Sequence, residues 1–145
     1  MKKKEKILVK LIFLAFIVCS VAYLIYINKK SSNVVIIEEK SFLSDFEIIN
    51  NEVHIHCIVS FENKRKNSEE DELIGDFKKE VDWGLVKENS LKAHFMKDDT
   101  YTVIVDANST MEYVEVEFIG EFAGNAKMSS RSLPVIDVSN VTNTK

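Results

Sequence analysis

The stretch that decides the fold is Val53–Phe61, with the sequence VHIHCIVSF. Apolar residues occupy every second position from Val53 to Phe61, and His54 and His56 lie between them. Successive side chains of a strand point to opposite faces of the sheet, so a period of two over these nine residues predicts a half-buried β-strand.

Shorter runs of β-branched or alternating residues lie on both sides of this strand. They predict further strands near Val34–Ile37, Phe46–Ile49, Leu91–Met96, Tyr101–Val105, Glu112–Ile119 and Leu133–Val138. Asn50-Asn51 indicates a turn. Tyr101–Val105 and Glu112–Ile119 are expected to pair as a hairpin. We predict a mainly β domain over residues 34–138, an antiparallel immunoglobulin-like β-sandwich with one short helix.

Two charged or ambiguous segments follow the long strand. Lys64–Lys66 and the acidic run Glu69–Glu72 predict a solvated loop or hairpin, with a binding patch as the alternative. The stretch 73–86 has helical spacing, but its two glycines disfavour one long helix. We expect a strand over Leu73–Phe77 and then a short helix over Lys78–Val86.

The N-terminal part of the chain contains a long apolar run. Ile7–Ile27 has 21 residues and a single charge, Lys10. A helix of this length spans roughly 30 Å, the thickness of the bilayer core. Lysines are concentrated before the run, which predicts a cytoplasmic N-terminus and an extracytoplasmic C-terminus. The expected order is a stub at 1–6, a transmembrane helix at 7–27 in contact with lipid, a spacer at 28–33 and, after the domain, a polar tail at 139–145.

Two other interpretations of the apolar run stay open. Ser20-Val21-Ala22 resembles the small-residue cleavage site of a signal peptide. Cys19 could be an acylated lipoprotein cysteine, although Val18 before it is larger than such sites favour. Ala15, Cys19 and Ala22 lie on one helical face and would let two helices approach closely, so a homodimer is possible, but chance gives such spacing often.

Composition narrows the classes of partner. Beyond the apolar run, 14 basic and 22 acidic residues leave a net charge of about −8. An acidic exterior disfavours nucleic acid as a partner. The two cysteines, Cys19 and Cys57, cannot pair within the chain if the first lies in a membrane, so no internal disulfide is expected.

Three pieces of the outer domain carry a resemblance to known proteins. They are Phe61-Glu62-Asn63 at the end of the long strand, the turn Asn108-Ser109-Thr110, and the following strand Val114–Phe118. In this order they resemble small single-pass surface proteins of Gram-positive bacteria with immunoglobulin-like outer domains. The resemblance covers about residues 50–120 and implies a bacterial surface location and a sandwich fold, but no chemistry.

The pair His54 and His56 is the candidate metal site. Two residues apart on a strand, both side chains project from one face, a spacing that suits two zinc ligands. A third ligand has to come from elsewhere, and His94 or a glutamate of the Glu115/Glu117 face are candidates. Cys57 has the opposite parity and should face the core. The alternatives are a pH-sensing pair and two ordinary solvated histidines.

No set of residues indicates catalysis. The sequence contains no Gly-x-Ser-x-Gly, no Gly-rich phosphate loop and no Cys/His pair at a recognisable spacing, so we expect neither an enzyme nor a cofactor. The sequence favours a membrane-anchored binding or assembly module with a protein partner at the outer domain. The alternative is a metal-binding or metal-sensing outer domain that uses His54 and His56.

Overall fold

The computed structural model describes residues 3–30, 32–127 and 132–141. The chain divides into two compact units, Met1–Ser31 and Ser32–Lys145. The first unit holds one helix, α1 (Lys3–Lys30). Within its described residues, the second contains eight strands, one short helix and a 3₁₀ turn (Glu38–Lys40): β1 (Val34–Ile36), β2 (Phe42–Ile49), β3 (Glu52–Asn63), β4 (Glu69–Asp76), α2 (Lys78–Asp82), β5 (Ser90–Phe95), β6 (Val103–Val105), β7 (Ser109–Glu121) and β8 (Val135–Asn140).

Helix α1 contains the whole of the apolar run Ile7–Ile27. Within it the structure describes the side chains of residue 7 and residues 9–24, and all of them are exposed. Among the residues so described, we find no helix that is long and apolar enough to cross a membrane.

The two longest strands, β3 and β7, form the centre of an antiparallel sheet. They pair along almost their whole length, from Glu52 opposite Glu121 to Asn63 opposite Ser109. On its other side β3 pairs with β2 and β1. Strand β7 pairs with β5, β5 pairs with β4, and β4 also pairs with β8 and β6. The prediction of a mainly β, antiparallel domain is confirmed.

The sheet encloses one hydrophobic core. The alternate residues of β3 from Val53 to Phe61 are buried, and so are Val116 and Phe118 on β7 and Leu73 on β4. The rings of Phe77 and Phe118 pack edge-to-face with centroids 5.2 Å apart, an arrangement that aromatic pairs prefer. The core therefore joins residues far apart in the sequence in a sandwich-like fold.

The immunoglobulin-like topology stays a prediction. Strand β5 pairs with β7 through Ala93–Phe95 and with β4 through Ser90–Lys92. Hydrogen bonds consequently connect all eight strands, whereas two separate sheets face each other in an immunoglobulin sandwich.

The local predictions around β3 are confirmed. Asn50 and Asn51 form the turn between β2 and β3 with φ angles of 49° and 68°. Both angles lie in the left-handed region that tight hairpins require and that Asn tolerates better than most residues.

The predicted hairpin between Tyr101–Val105 and Glu112–Ile119 is wrong. Strand β6 pairs with β4, from Val103 opposite Asp71 to Val105 opposite Glu69, and β7 pairs with β3 and β5 instead. Neighbouring strands in the sequence often pair, but here the Asn108 N–H donates to the Arg65 carbonyl in the loop that leads into β4. This contact directs β6 to β4.

The acidic run is not a loop. Glu69–Glu72 forms the first half of β4, because strand pairing with β6 and β8 satisfies its backbone. The segment 73–86 is a strand and a short helix, as expected, but α2 already ends at Asp82. Gly84 follows with a φ of 75°, a left-handed conformation that terminates helices.

The boundaries near both ends of the domain differ slightly from the predicted ones. The predicted spacer 28–33 begins inside α1, and β8 runs two residues beyond Val138 into the predicted polar tail. Residues 142–145 of that tail and residues 128–131 of the loop before β8 lie outside the described residues.

Candidate functional site

Strand β3 presents His54 and His56 on one face. The core residues Val53, Ile55 and Cys57 point to the other face and are buried. The parity predicted from the sequence is confirmed, including the inward position of Cys57. Burial raises the pKa of the Cys57 thiol to about 12, so this cysteine is neither a reactive nucleophile nor a ready metal ligand.

The sheet register brings the remaining histidine to this face. Glu117 on β7 lies directly opposite His56 on β3 and directly opposite His94 on β5. Residues opposite each other on adjacent strands are close neighbours. All three histidines of the chain therefore surround one carboxylate. We call His54, His56, His94 and Glu117 the histidine cluster.

Distances within the histidine cluster are short. Nδ1 of His54 lies 2.7 Å from Oε1 of Glu117, and because an ionised carboxylate only accepts, His54 donates this hydrogen bond. Nε2 of His56 lies 3.7 Å from the same oxygen, and Nδ1 of His94 lies 3.8 Å from Oε2 of Glu117. The Glu117 side chain is only 10% exposed.

A second layer of carboxylates surrounds the histidines. Nε2 of His94 lies 2.7 Å from Oδ1 of Asp99. Nε2 of His54 lies 3.6 Å from Glu52, and Nε2 of His56 lies 3.6 Å from Glu47. The site is therefore rich in negative charge, which favours a bound cation.

The nitrogens of His94 have unequal partners. A neutral imidazole carries a single N–H, which His94 gives to Asp99 through Nε2. Its Nδ1 is buried and has no hydrogen-bond partner within the described residues. A lone pair on Nδ1 then faces the Glu117 carboxylate at 3.8 Å. A second proton or a metal ion between these two atoms would remove the mismatch.

The histidine cluster contains nitrogen and oxygen atoms that bind metals, but the distances between them are slightly too long for one ion. Ligand atoms around a tetrahedral zinc ion are about 3.3 Å apart, and the His56 and His94 nitrogens are 3.7 and 3.8 Å from Glu117 oxygens. In the described part of the chain, no group of three or more His, Cys, Asp or Glu residues is arranged to hold a metal ion.

Searches of protein-family models, curated sequences and solved structures find no match to this chain. The resemblance to small surface proteins of Gram-positive bacteria therefore stays a prediction.

The sequence indicated part of this site. It identified His54 and His56 as the pair, with His94 and Glu117 among the candidates for a further ligand. Glu115, the other candidate on β7, is exposed and forms no ion pair or hydrogen bond with the histidines in the described residues. Asp99, Glu52 and Glu47 were missed because exposed carboxylates carry no distinguishing sequence signal.

Solvent reaches the cluster from one side. A cavity of about 340 Å³ adjoins His56 and is bordered by Asp45, Glu115 and Met96. The His56 side chain is 29% exposed, the most open of the three histidines. A small ion can therefore reach the His56 side of the cluster from solvent.

Proposed function

We propose that this protein is a membrane-anchored, extracytoplasmic binding module whose ligand is a divalent transition-metal ion, with zinc as the best candidate. The histidine cluster is the binding site, and the outer domain is an immunoglobulin-like sandwich that carries it. The single observation behind the proposal is the gathering of all three histidines around Glu117. Three imidazoles and one carboxylate are donors that zinc prefers.

The carboxylates that surround the histidines favour a metal site over a patch of ordinary solvated histidines. Metal-bound histidines usually donate their second N–H to a carboxylate, which fixes the ring and its tautomer. Asp99 accepts in this way from Nε2 of His94. This hydrogen bond leaves Nδ1 of His94 as a free lone pair directed towards Glu117.

Metal binding at this site requires a small rearrangement. The proton on Nδ1 of His54 must move to Nε2, which frees the Nδ1 lone pair for the metal. The His56 and His94 nitrogens must approach the carboxylate by about half an ångström. Binding then competes with protons. Metal affinity is expected to fall as the pH drops below the range in which histidines are neutral.

The direct test is a zinc titration of the full-length protein by isothermal calorimetry at pH 7.5. Wild type should bind one zinc ion per chain, and Glu117→Gln and His94→Ala should each weaken binding at least tenfold. Glu115→Gln is the matched control, because it removes a carboxylate from the same strand that does not contact the histidines.

Two outcomes would overturn the metal proposal. One is the absence of zinc binding by wild type at millimolar zinc. The other is an equal effect of Glu117→Gln and Glu115→Gln, which would make the binding nonspecific. If zinc does not bind but unfolding depends on pH through the histidines, the pH-sensing alternative takes its place.

The membrane anchor is proposed for α1 on separate grounds. The helix has 28 residues. Its described apolar side chains are exposed, and those of Leu11, Phe16 and Leu24 are more than half exposed. A continuous apolar surface of this size is unfavourable in water and favourable in lipid. The excess of lysine before the helix supports a cytoplasmic N-terminus.

Membrane fractionation tests the anchor. Wild type should stay in membranes after alkaline carbonate extraction, and Leu14→Lys with Ile17→Lys should release it, since each lysine costs about 3 kcal/mol at a helix centre. Recovery of wild type in the soluble fraction would contradict the anchor. The intact mass separates the alternatives: loss of residues 1–22 indicates a signal peptide, and acylated Cys19 at the N-terminus indicates a lipoprotein.

Two further predictions about partners come from the sequence, and both can be tested. A protein partner at the outer domain is tested by co-purification from native membranes. A homodimer through Ala15, Cys19 and Ala22 is tested by the oligomeric state of the detergent-solubilised protein.

A further inference from the structure

A second polar site lies in the other half of the sheet, around Asp71 on β4. Its side chain is fully buried, with 0% exposure, and neither of its carboxylate oxygens has a hydrogen-bond partner in the described residues. Buried carboxylates almost always have partners, because an unpaired one costs several kcal/mol. Asp71 therefore lacks, among the described residues, the hydrogen-bond partner that a buried carboxylate normally has.

Glu69 adds a second carboxylate on the same face of β4. It lies two residues before Asp71 on the same face of β4 and is partly buried. Its oxygens accept hydrogen bonds from the Ser32 hydroxyl at 3.3 Å, the Asn33 N–H at 3.1 Å and the Asn33 side-chain amide at 2.8 Å. Burial alone would raise the pKa of Glu69, but these hydrogen bonds, together with the more distant positive charge of Arg65, bring it below its usual value.

Oxygen-bearing side chains complete the surroundings of Asp71. Ser32 and Asn140 both lie near enough to favour its ionised form, whereas Glu69 disfavours it. Asn140 belongs to β8 and lies opposite Asp71 in the register. In the described part of the chain, neither Glu69 nor Asp71 takes part in an ion pair with a basic side chain.

Protonation of Asp71 would satisfy only part of this environment. A neutral carboxyl group has no charge to desolvate, but its O–H still needs an acceptor and its other oxygen still needs a donor. Neither oxygen has a hydrogen-bond partner within 3.5 Å among the described residues, and the looser contacts with Ser32 and Asn140 offset only part of the cost of burial. A cation between Asp71 and Glu69 would contact the unpaired oxygens and balance both negative charges.

We propose that Glu69 and Asp71 bind a hard divalent cation, calcium in preference to magnesium, with Ser32 and Asn140 as further oxygen ligands. Calcium accepts carboxylate, hydroxyl and amide oxygens in irregular arrangements, whereas magnesium demands a near-ideal octahedron and gives up its water reluctantly. The donors here are all oxygens, in contrast to the nitrogen-rich histidine cluster. The two sites are independent in residues and in chemistry.

The bound ion would link three segments of the outer domain. Ser32 lies at the start of the domain in sequence, Glu69 and Asp71 lie on β4, and Asn140 ends β8. Calcium would therefore hold the first and last segments of the domain to its central β4 strand. Calcium-binding modules outside the cell typically have dissociation constants of about 10⁻⁴–10⁻³ M.

The test is thermal unfolding of the full-length protein in mild detergent at pH 7.5, with EDTA, calcium or magnesium. At a calcium concentration ten times the dissociation constant, the folding equilibrium constant of wild type should increase about tenfold. Asp71→Asn should abolish this gain and Glu69→Gln should reduce it. Glu70→Gln is the control, because Glu70 lies between them on the opposite face of β4.

The Asp71→Asn variant distinguishes loss of calcium binding from loss of folding. Asp71→Asn removes a buried charge, so the variant should fold at least as well as wild type in EDTA, and a lost calcium response cannot be ascribed to unfolding. Absence of a calcium response in wild type at 10 mM calcium, or an equal response in wild type and Asp71→Asn, overturns the proposal. A larger response to magnesium than to calcium overturns the choice of ion.

Discussion

Replacement of Asp71 by Asn should stabilise the outer domain in calcium-free buffer at neutral pH. Burial raises the pKa of Asp71 from 3.8 to about 6. The side chain is fully buried, the Glu69 charge adds to the effect of burial, and Ser32 and Asn140 partly offset it. A rise of the pKa from 3.8 to about 6 on folding lowers the free energy of unfolding by about 3 kcal/mol once the carboxylate is charged. Wild type carries this cost at pH 7.5, and the neutral amide does not.

The pH dependence gives this prediction its sign. A carboxyl group whose pKa is raised on folding favours the folded state only while it is protonated. Its contribution is complete below pH 3.8, falls as the pH rises and is lost above about pH 6. The free energy of unfolding of Asp71→Asn should therefore exceed that of wild type by about 3 kcal/mol at pH 7.5 and by only about 0.5 kcal/mol near pH 4.

Urea unfolding of the full-length chain in detergent and EDTA measures the difference at both pH values. Every other titratable group is the same in both proteins, so its effect cancels when the two curves are subtracted. Asp98→Asn, at an exposed turn position, is the matched control and should change stability by less than about 0.5 kcal/mol at either pH. A gain for Asp71→Asn that is the same at pH 4 and pH 7.5, or a loss at pH 7.5, would refute the reasoning.

Two further predictions concern the core. Gly75→Ala should destabilise the domain by about 1–3 kcal/mol in urea unfolding. The added Cβ would lie 2.6 Å from the Phe77 ring and 3.1 Å from the Phe118 ring, too close for unstrained packing. An unchanged unfolding midpoint would show that the rings move freely. In a Cys19→Ser background, Cys57 should react with a thiol reagent at pH 8 only on unfolding, because burial raises its pKa to about 12; rapid labelling of the folded protein would contradict its burial.

The candidate metal site was partly predictable from the sequence. The alternation around His54 and His56 fixed their common face, because side-chain direction along a strand depends only on parity. The sequence could propose His94 and Glu117 but could not choose between Glu117 and Glu115, since both have the same parity on β7. Only the register of β3, β7 and β5 brings Glu117, rather than Glu115, between His56 and His94.

The second site could not be predicted at all. A run of four acidic residues normally indicates a solvated surface, because isolated charges are costly to bury. Pairing of β4 with β6 and β8 nevertheless places Asp71 inside the domain, between Val103 and Asn140. No property of Glu69–Glu72 itself distinguishes the buried carboxylate from its neighbours.

The sequence by itself determined the local elements: the long β3 strand, the turn at Asn50-Asn51, the short helix after Phe77 and the inward position of Cys57. The tertiary structure alone decided that β6 pairs with β4, that Asp71 is buried and that the histidines meet at Glu117. The physical reason is the distance along the chain over which each interaction acts. Periodicity and turn preference act within a few residues, whereas pairing and register follow from hydrogen bonds and packing summed over strands remote in the chain.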